Sequence, residues 1–238
     1  MGRKSAKIAA RKGAQDRLRS QIYTKALFEV TRAVKQAGED PETNFLLRVA
    51  LSKCRKNNVP KDNIDRAIKK GLGNEGDNFS DVFYEGYGPG GVGIFVETST
   101  DNVTRTVANM RYCFSRNGGT LGNSGSLQFL FDRKAVFEVL SEGIDEEEFT
   151  LQMIEAGAED IEENDERFMV YAEKEDFGSV QAALEEMGIT PEEASLERIP
   201  TSYKKVQGET LEQLQKLIEV LEADDDVIRV FHNIEEES

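Results

Sequence analysis

Histidine is almost missing from this chain of 238 residues: His232 is the only one, and it sits beside an acidic tail with no nucleophile motif near it. A Ser-His-Asp or Cys-His catalytic group would have to be built on that single imidazole. Cysteine is equally scarce. Cys54 and Cys113 give no disulfide framework, and together with one histidine they fall short of a structural zinc site. That cysteine usage fits a reducing cytoplasm. Tryptophan is absent. No apolar run approaches membrane-spanning length; the longest, such as Val92 to Val96 and Leu127 to Phe131, are strand-sized. The opening Met-Gly-Arg-Lys-Ser-Ala-Lys-Ile is charged but has no long apolar stretch after it, which argues against a secretory signal. An organellar targeting peptide, also basic and poor in acids, stays open as an alternative. No G-x-x-x-x-G-K-[ST] loop occurs.

What is present is charge, unevenly placed. Residues 1–75 hold 18 Lys or Arg against 8 Asp or Glu, a net of +10, whereas residues 76–238 hold 12 against 37, a net of −25. The overall −15 therefore hides a cationic front end. Such a module is the electrostatic footprint of a phosphate-backbone binder, and the acidic remainder would be repelled by the same polyanion. At 38% hydrophobic and 32% charged residues, the chain has enough apolar material for true cores and lies outside the disordered class.

The periodicity of the first 75 residues predicts three helices. Ile22, Ala26, Leu27, Val30 and Val34 form one stripe that ends at Gly38. Asp40-Pro41 predicts a second start, with Phe45, Leu46, Val49 and Ala50 facing inward. Pro60 opens a third helix bearing Ile64, Ala67 and Ile68, which stops at Gly71. Gly2 to Ala14, with Ile8 its only large apolar residue, is expected to be loosely held by itself. Gly73 to Ser80 reads as a linker.

Strands and helices then alternate. Expected elements are a strand at Val92–Thr98, a helix capped by Thr100 or Asp101 and carrying Val103, Val107, Met110 and Phe114, and a strand at Ser126–Phe131. A full βαββαβ set follows. Its strands fall at 135–140, near 160–162, at 167–172 and near 195–199, and its helices at 145–156 and 176–187. A strand near Tyr203–Gln207, a helix with Leu211, Leu214, Ile218 and Leu221, and a strand at Val227–Phe231 complete a second set. The fold expected is α+β: a three-helix N-terminal domain and two ferredoxin-like α/β domains, one inserted into the other. The domain bounds are 1–75, 81–132 with 202–238, and the insertion 133–201.

Two groups of residues are candidate contacts. Arg3, Lys4, Lys7, Arg11, Lys12, Arg17 and Arg19 form one basic cluster; Lys53, Arg55, Lys56, Lys61, Arg66, Lys69 and Lys70 form another. Arg offers phosphate a bidentate fork and Lys a point charge. No RRM-type aromatic strand or zinc finger accompanies them, so backbone attraction is readable but base readout is not. The second group is glycine-rich: Tyr84-Glu-Gly-Tyr-Gly-Pro-Gly-Gly-Val-Gly93, with five glycines, and Arg116-Asn-Gly-Gly-Thr-Leu-Gly-Asn-Ser-Gly-Ser126. As bare pattern the first is a constrained turn before a strand and the second a helix end followed by a loop. Carboxylate runs such as Asp145 to Glu148 and Asp224 to Asp226 read as solvated faces and helix starts.

The chain resembles the YebC-like family (YebC/PmpR-type regulators), which also contains the mitochondrial translational activator of cytochrome oxidase. The matching residues are Tyr84-Glu-Gly-Tyr-Gly-Pro-Gly-Gly91, Asp101-Asn102 with Arg105-Thr106, and Gly118-Gly-Thr-Leu-Gly122 with Gly125-Ser126. Ile64-Asp-Arg-Ala-Ile-Lys69 and the basic opening match too. The family's His-Ser-Lys-Trp-like opening is Gly2-Arg-Lys-Ser5 here, so Lys4 is kept and Ser5 replaces the aromatic. The resemblance implies a helical domain plus two α/β domains and a regulator of gene expression that is not an enzyme. It implies contacts at Tyr84, Tyr87, Gly88, Pro89, Gly90, Gly91, Arg105, Gly118 and Gly119. The expected partner is nucleic acid: DNA for a transcriptional regulator, or ribosomal RNA in the ribosome for a translation factor. No membrane, cofactor, metal or small-molecule substrate is expected. An enzyme on a ferredoxin-like scaffold is a third reading, without a nucleophile–base pair to support it.

Overall fold

A computed structural model describes residues 2–73, 79–164 and 166–235, with residues 2–18 described by backbone alone. The chain divides into two compact units, Met1–Gly76 with Ala135–Ser195, and Asp77–Lys134 with Leu196–Ser238.

In the first unit the predicted apolar stripes close a helical core. Helix α1 (Gly2–Ala37) is longer than the stripe alone required, since its backbone runs back through the segment expected to be loose. It packs on α2 (Phe45–Lys56) and α3 (Lys61–Gly71). Ala26, Val30, Val34, Leu47, Ala50, Cys54 and Ala67 meet in the centre. Helix α2 does not start at Asp40-Pro41. Those residues form a turn, and Asn44 is the cap, its Oδ1 accepting from the Leu47 N–H at 3.1 Å. The reason is reach: Asn44 Nδ2 also donates to the Ala33 and Gly38 carbonyls at 2.8 and 2.7 Å, so one buried side chain satisfies the end of α1 and the start of α2. At Gly71 a Cβ would lie 2.6 Å from Val34 Cβ, so α3 approaches α1 through a position only glycine fills.

The same unit holds a sheet of order β5-β6-β4-β7. Its elements are β4 (Phe131–Leu140), α5 (Glu146–Glu155), β5 (Ala158–Asn164), β6 (Arg167–Glu173), α6 (Phe177–Glu186) and β7 (Glu193–Pro200). Relative to the βαββαβ order this is second, third, first, fourth, the ferredoxin-like arrangement. Phe149 stacks on Phe168 at 4.7 Å, and Phe137 lies 4.8 Å from Phe177. β4 and β7 carry the chain between units.

The second unit has a sheet of order β3-β1-β2-β8. Its strands are β1 (Ser80–Tyr87), β2 (Gly93–Thr100), β3 (Thr120–Leu121) and β8 (Val227–His232), and its helices are α4 (Val103–Arg116) and α7 (Glu209–Glu222). β1 and β2 pair antiparallel from Ser80↔Thr100 to Tyr87↔Gly93. Alternation along β2 sends Ile94 and Val96 toward α4 and α7, and Phe95 toward Leu127 and Phe131 on the other face.

Four expectations fail here. Ser80–Tyr87, whose first residue reads as the end of a linker and whose last four as a turn, is a central strand; Gly86 and the acids Asp81 and Glu85 masked its alternating pattern. Ser126–Phe131 is a turn followed by a 3-10 helix at Gln128–Leu130, and the paired strand is Thr120–Leu121. Tyr203–Gln207 makes a single bridge, Lys204↔Ile234, and no strand. The position expected for it in the sheet is held by β1, which enters from before the βαβ unit. The cap of α4 is Asn102, whose Oδ1 accepts from the Arg105 N–H at 3.0 Å, in place of Thr100 or Asp101.

Candidate nucleic-acid interface

The helical region turns its apolar stripes inward, so its cations face out by default. Many sit at helix C-termini: Lys53, Arg55 and Lys56 in the last turn of α2, Lys69 and Lys70 in that of α3. There they also complement the exposed carbonyls of each helix. This local role accounts for part of the basic pattern without any partner.

Of the second predicted cluster, Arg55, Lys61, Arg66 and Lys69 are exposed and make no ion pair among the described residues. Arg19 is exposed on α1 and Lys70 is half-buried. Lys53 and Lys56 are already engaged. Lys53 Nζ lies 2.9 Å from Glu29 and 3.2 Å from Glu193, and Lys56 pairs with Glu192. Arg48, which no motif marked, pairs with Glu185 and lies over the Phe45 ring at 5.6 Å. The side chains of Arg3, Lys4, Lys7, Arg11, Lys12 and Arg17 lie outside the described residues.

In the second unit the two glycine-rich segments meet. Gly88 N–H bonds the Val92 carbonyl at 2.8 Å and Gly91 N–H bonds Gly88 at 3.0 Å, closing a tight turn. Gly90 adopts φ +74°, and a Cβ there would lie 2.6 Å from Val206. Pro89 Cγ would be 3.5 Å from a Cβ on Gly118, and the Tyr87 carbonyl 2.8 Å from one on Gly119. The contact expected of this group therefore divides. Tyr84, Gly88 and Pro89 are buried and Gly119 is half-buried, while Tyr87, Gly90, Gly91 and Gly118 are exposed. Burial, with a smaller push from Asp226, raises the Tyr84 phenol above its ordinary pKa.

Glu85 of β1, not among the expected contacts, braces the second glycine-rich segment. It is 5% exposed, and its two oxygens accept from the Gly125 N–H at 2.7 Å and the Leu127 N–H at 2.6 Å. A glutamate inside a strand that reads as a turn gave no sequence signal. Arg105 is likewise committed: it donates to Asp226 at 2.8 and 3.0 Å and to Asp101 at 2.9 Å. Thr106 and Thr100 hydroxyls also donate to Asp226, at 2.7 and 3.2 Å. The hydrogen bond to Asp226 is the main cause of Arg105's raised pKa. The Asp-Asn…Arg-Thr motif thus joins the end of β2, the start of α4 and the loop before β8. Arg198, also unmarked, stacks 3.5 Å above the Phe95 ring, and burial lowers its pKa despite Glu97.

Among the described residues, no three His, Cys, Asp or Glu side chains are grouped to hold a metal ion. No described helix is long and apolar enough to cross a membrane. Fold and surface together define an α+β protein with a cationic helical region followed by two four-stranded sheets, of which that of β4 to β7 is ferredoxin-like.

Residues 3–74 match the model of the TACO1/YebC protein N-terminal domain, and residues 79–234 that of the TACO1/YebC second and third domain. The chain belongs to the TACO1/YebC family. It is 47% identical to a "Probable transcriptional regulatory protein" of Amoebophilus asiaticus over 97% of this chain and 96% of that one. A protein of the same description from Syntrophotalea carbinolica is 46% identical over 98% and 94%. A conserved hypothetical protein of Aquifex aeolicus has a similar structure, with a TM-score of 0.78 at 40% identity over 91% of this chain and 90% of that one. This is a family of proteins named as regulators.

Proposed function

We propose that this protein is a non-enzymatic, nucleic-acid-binding regulator of gene expression in the cytoplasm, and that it engages DNA as a transcriptional regulator. Residues 1–75 are the binding domain; 133–201, and 81–132 with 202–238, form the trunk. The observation that carries this reading is the +10 module on a −25 remainder, with Arg55, Lys61, Arg66 and Lys69 exposed and without ion pairs among the described residues. Attraction and on-rate come from that cationic surface, and the acidic trunk resists wrapping by the same polyanion. Arg3, Lys4, Lys7, Arg11, Lys12, Arg17 and Arg19 belong to the same cationic stretch of the sequence. The exposed parts of the glycine-rich segments, Tyr87, Gly90, Gly91 and Gly118, are a secondary contact.

The second reading is a ribosome-associated translation factor that places the same domain on ribosomal RNA. It is supported by the family models that match, which are described as those of TACO1/YebC proteins.

The test is charge reversal in the full chain: Arg55→Glu, Lys61→Glu, Arg66→Glu and Lys69→Glu together. Each lost duplex phosphate contact lowers the log–log salt slope by about 0.9, so four lower it by roughly 3–4. Unchanged affinity and slope refute the assignment. Crosslinking in cell extract separates the readings: promoter DNA favours transcription, and ribosomal RNA on residues 1–75 favours translation.

A further inference from the structure

Three cations along α2 are held by carboxylates far away in sequence. Arg48 meets Glu185 in the last turns of α6, while Lys56 and Lys53 meet Glu192 and Glu193 at the entry to β7. All six residues belong to one compact unit. The acids are set in place by the inserted sheet, whose Glu138 carbonyl accepts from the Glu192 N–H at 2.7 Å. Their side chains remain 22–40% exposed, so water and salt reach every pair. Lys53 is shared with Glu29 of α1, which gives its ammonium an anchor independent of the insertion.

This is an unusual use of a cationic surface. Lys53 and Lys56 belong to the very cluster read as a phosphate contact, and in the free chain their partners are carboxylates of the trunk. We propose that Glu185, Glu192 and Glu193 act as an internal competitor for nucleic acid. They occupy Arg48, Lys53 and Lys56 in the free protein and release them to the phosphate backbone on binding. The proposal rests on the reading that the helical domain binds nucleic acid.

Physical chemistry favours an exchange of this kind. Partly exposed pairs are individually weak, which makes the clasp reversible. A duplex presents one phosphate per ~1.7 Å of axis and gains entropy by releasing counterions, so a dense polyanion outbids three carboxylates where an isolated anion does not. The clasp lowers apparent affinity by the fraction of molecules in which it is closed. It therefore filters against short or sparse anions while leaving Arg55, Lys61, Arg66 and Lys69 open for the first encounter.

The experiment is fluorescence anisotropy on the full chain, with a labelled 30-base-pair DNA duplex and a labelled RNA hairpin as probes, at low and high salt. The triple variant Glu185→Gln, Glu192→Gln, Glu193→Gln is expected to bind at least one probe three- to tenfold more tightly at low salt. Glu192→Gln alone should give part of that gain. A control with the same net charge, Glu212→Gln, Glu219→Gln, Glu222→Gln on α7, is expected to give a markedly smaller one. Equal affinities for the wild type and the clasp variants overturn the proposal and leave the nucleic-acid reading standing. An equal gain from the α7 control also overturns it, since bulk charge then accounts for the effect. If no protein binds either probe, the nucleic-acid reading falls and the proposal falls with it.

Discussion

Replacing Glu85 with Ala removes a carboxylate that accepts from the amides of both Gly125 and Leu127. Both of its hydrogen bonds are short, at 2.7 and 2.6 Å, and the acceptor is a carboxylate that is 5% exposed. Hydrogen bonds to charged groups are worth about 1.5–3 kcal/mol each, and a buried donor left without an acceptor keeps its full desolvation cost. Two such bonds put the loss for Glu85→Ala at about 3–5 kcal/mol. Glu85→Gln keeps one acceptor oxygen but turns an NH2 toward the other amide, so about half that loss is expected. Leu127 is fully buried beside Phe95 and Phe131, so releasing its backbone also loosens that apolar cluster. The assay is amide hydrogen exchange. Since about 1.4 kcal/mol is a factor of ten, exchange at Gly125 and Leu127 should speed up by about two to three and a half orders of magnitude in the Ala variant. Amides of α1–α3 should be unaffected. A change below about tenfold at both amides, with Gln indistinguishable from wild type, would refute the view that this carboxylate braces the second glycine loop.

Gly90→Ala should cost about 2–3 kcal/mol in urea unfolding, since φ +74° disfavours any Cβ and this one would lie 2.6 Å from Val206. Gly118→Ala, with φ +77° but its nearest neighbour at 3.5 Å, should cost only about 1 kcal/mol; equal losses would show that steric contact at Gly90 is unimportant. Asn44→Ala should destabilise the helical region by about 2–4 kcal/mol, because one cap and two buried carbonyl contacts are lost together. Asn44→Asp, which keeps the cap acceptor but sets a carboxylate oxygen against the Ala33 and Gly38 carbonyls, should recover none of that loss in a thermal melt. Burial raises the Cys54 thiol from 9.0 to about 11, with Glu29 adding to the shift and Lys53 opposing it. A raised thiol pKa stabilises the fold below pH 9.0, and that contribution is lost as pH climbs from 9.0 to about 11. Cys54→Ala should flatten this alkaline decline in denaturant titrations, and the native thiol should resist disulfide exchange with Ellman's reagent at pH 8.

Much of the architecture was readable because its signals are local. The stripes Ala26–Val30–Val34 and Leu214–Ile218–Leu221 repeat at helical spacing, and the βαββαβ run from Ala135 to Ile199 alternates cleanly, so α1, α7 and the inserted sheet follow from period and punctuation. Strand β1 did not, because Glu85 and Gly86 disguise a central strand whose fitness comes from Phe114 and the Thr120 backbone packed around it. Tyr203–Gln207 has β-forming residues but lost its place in the sheet to β1, a competition no single segment reveals.

By itself, the order of residues determined that cations gather in the first 75 positions, that chemistry based on histidine or a metal cluster has little to work with, and that helices precede two mixed α/β sets. Charge and periodicity are additive along a chain and need no partner to be read. The tertiary structure alone decided which of those cations are open. Arg55, Lys61, Arg66 and Lys69 stay exposed while Lys53 and Lys56 meet Glu193 and Glu192. It also set Glu85 beneath a loop forty residues downstream. Pairing of charges and satisfaction of buried amides depend on distances of about 3 Å between residues remote in sequence, and only the folded chain sets those distances.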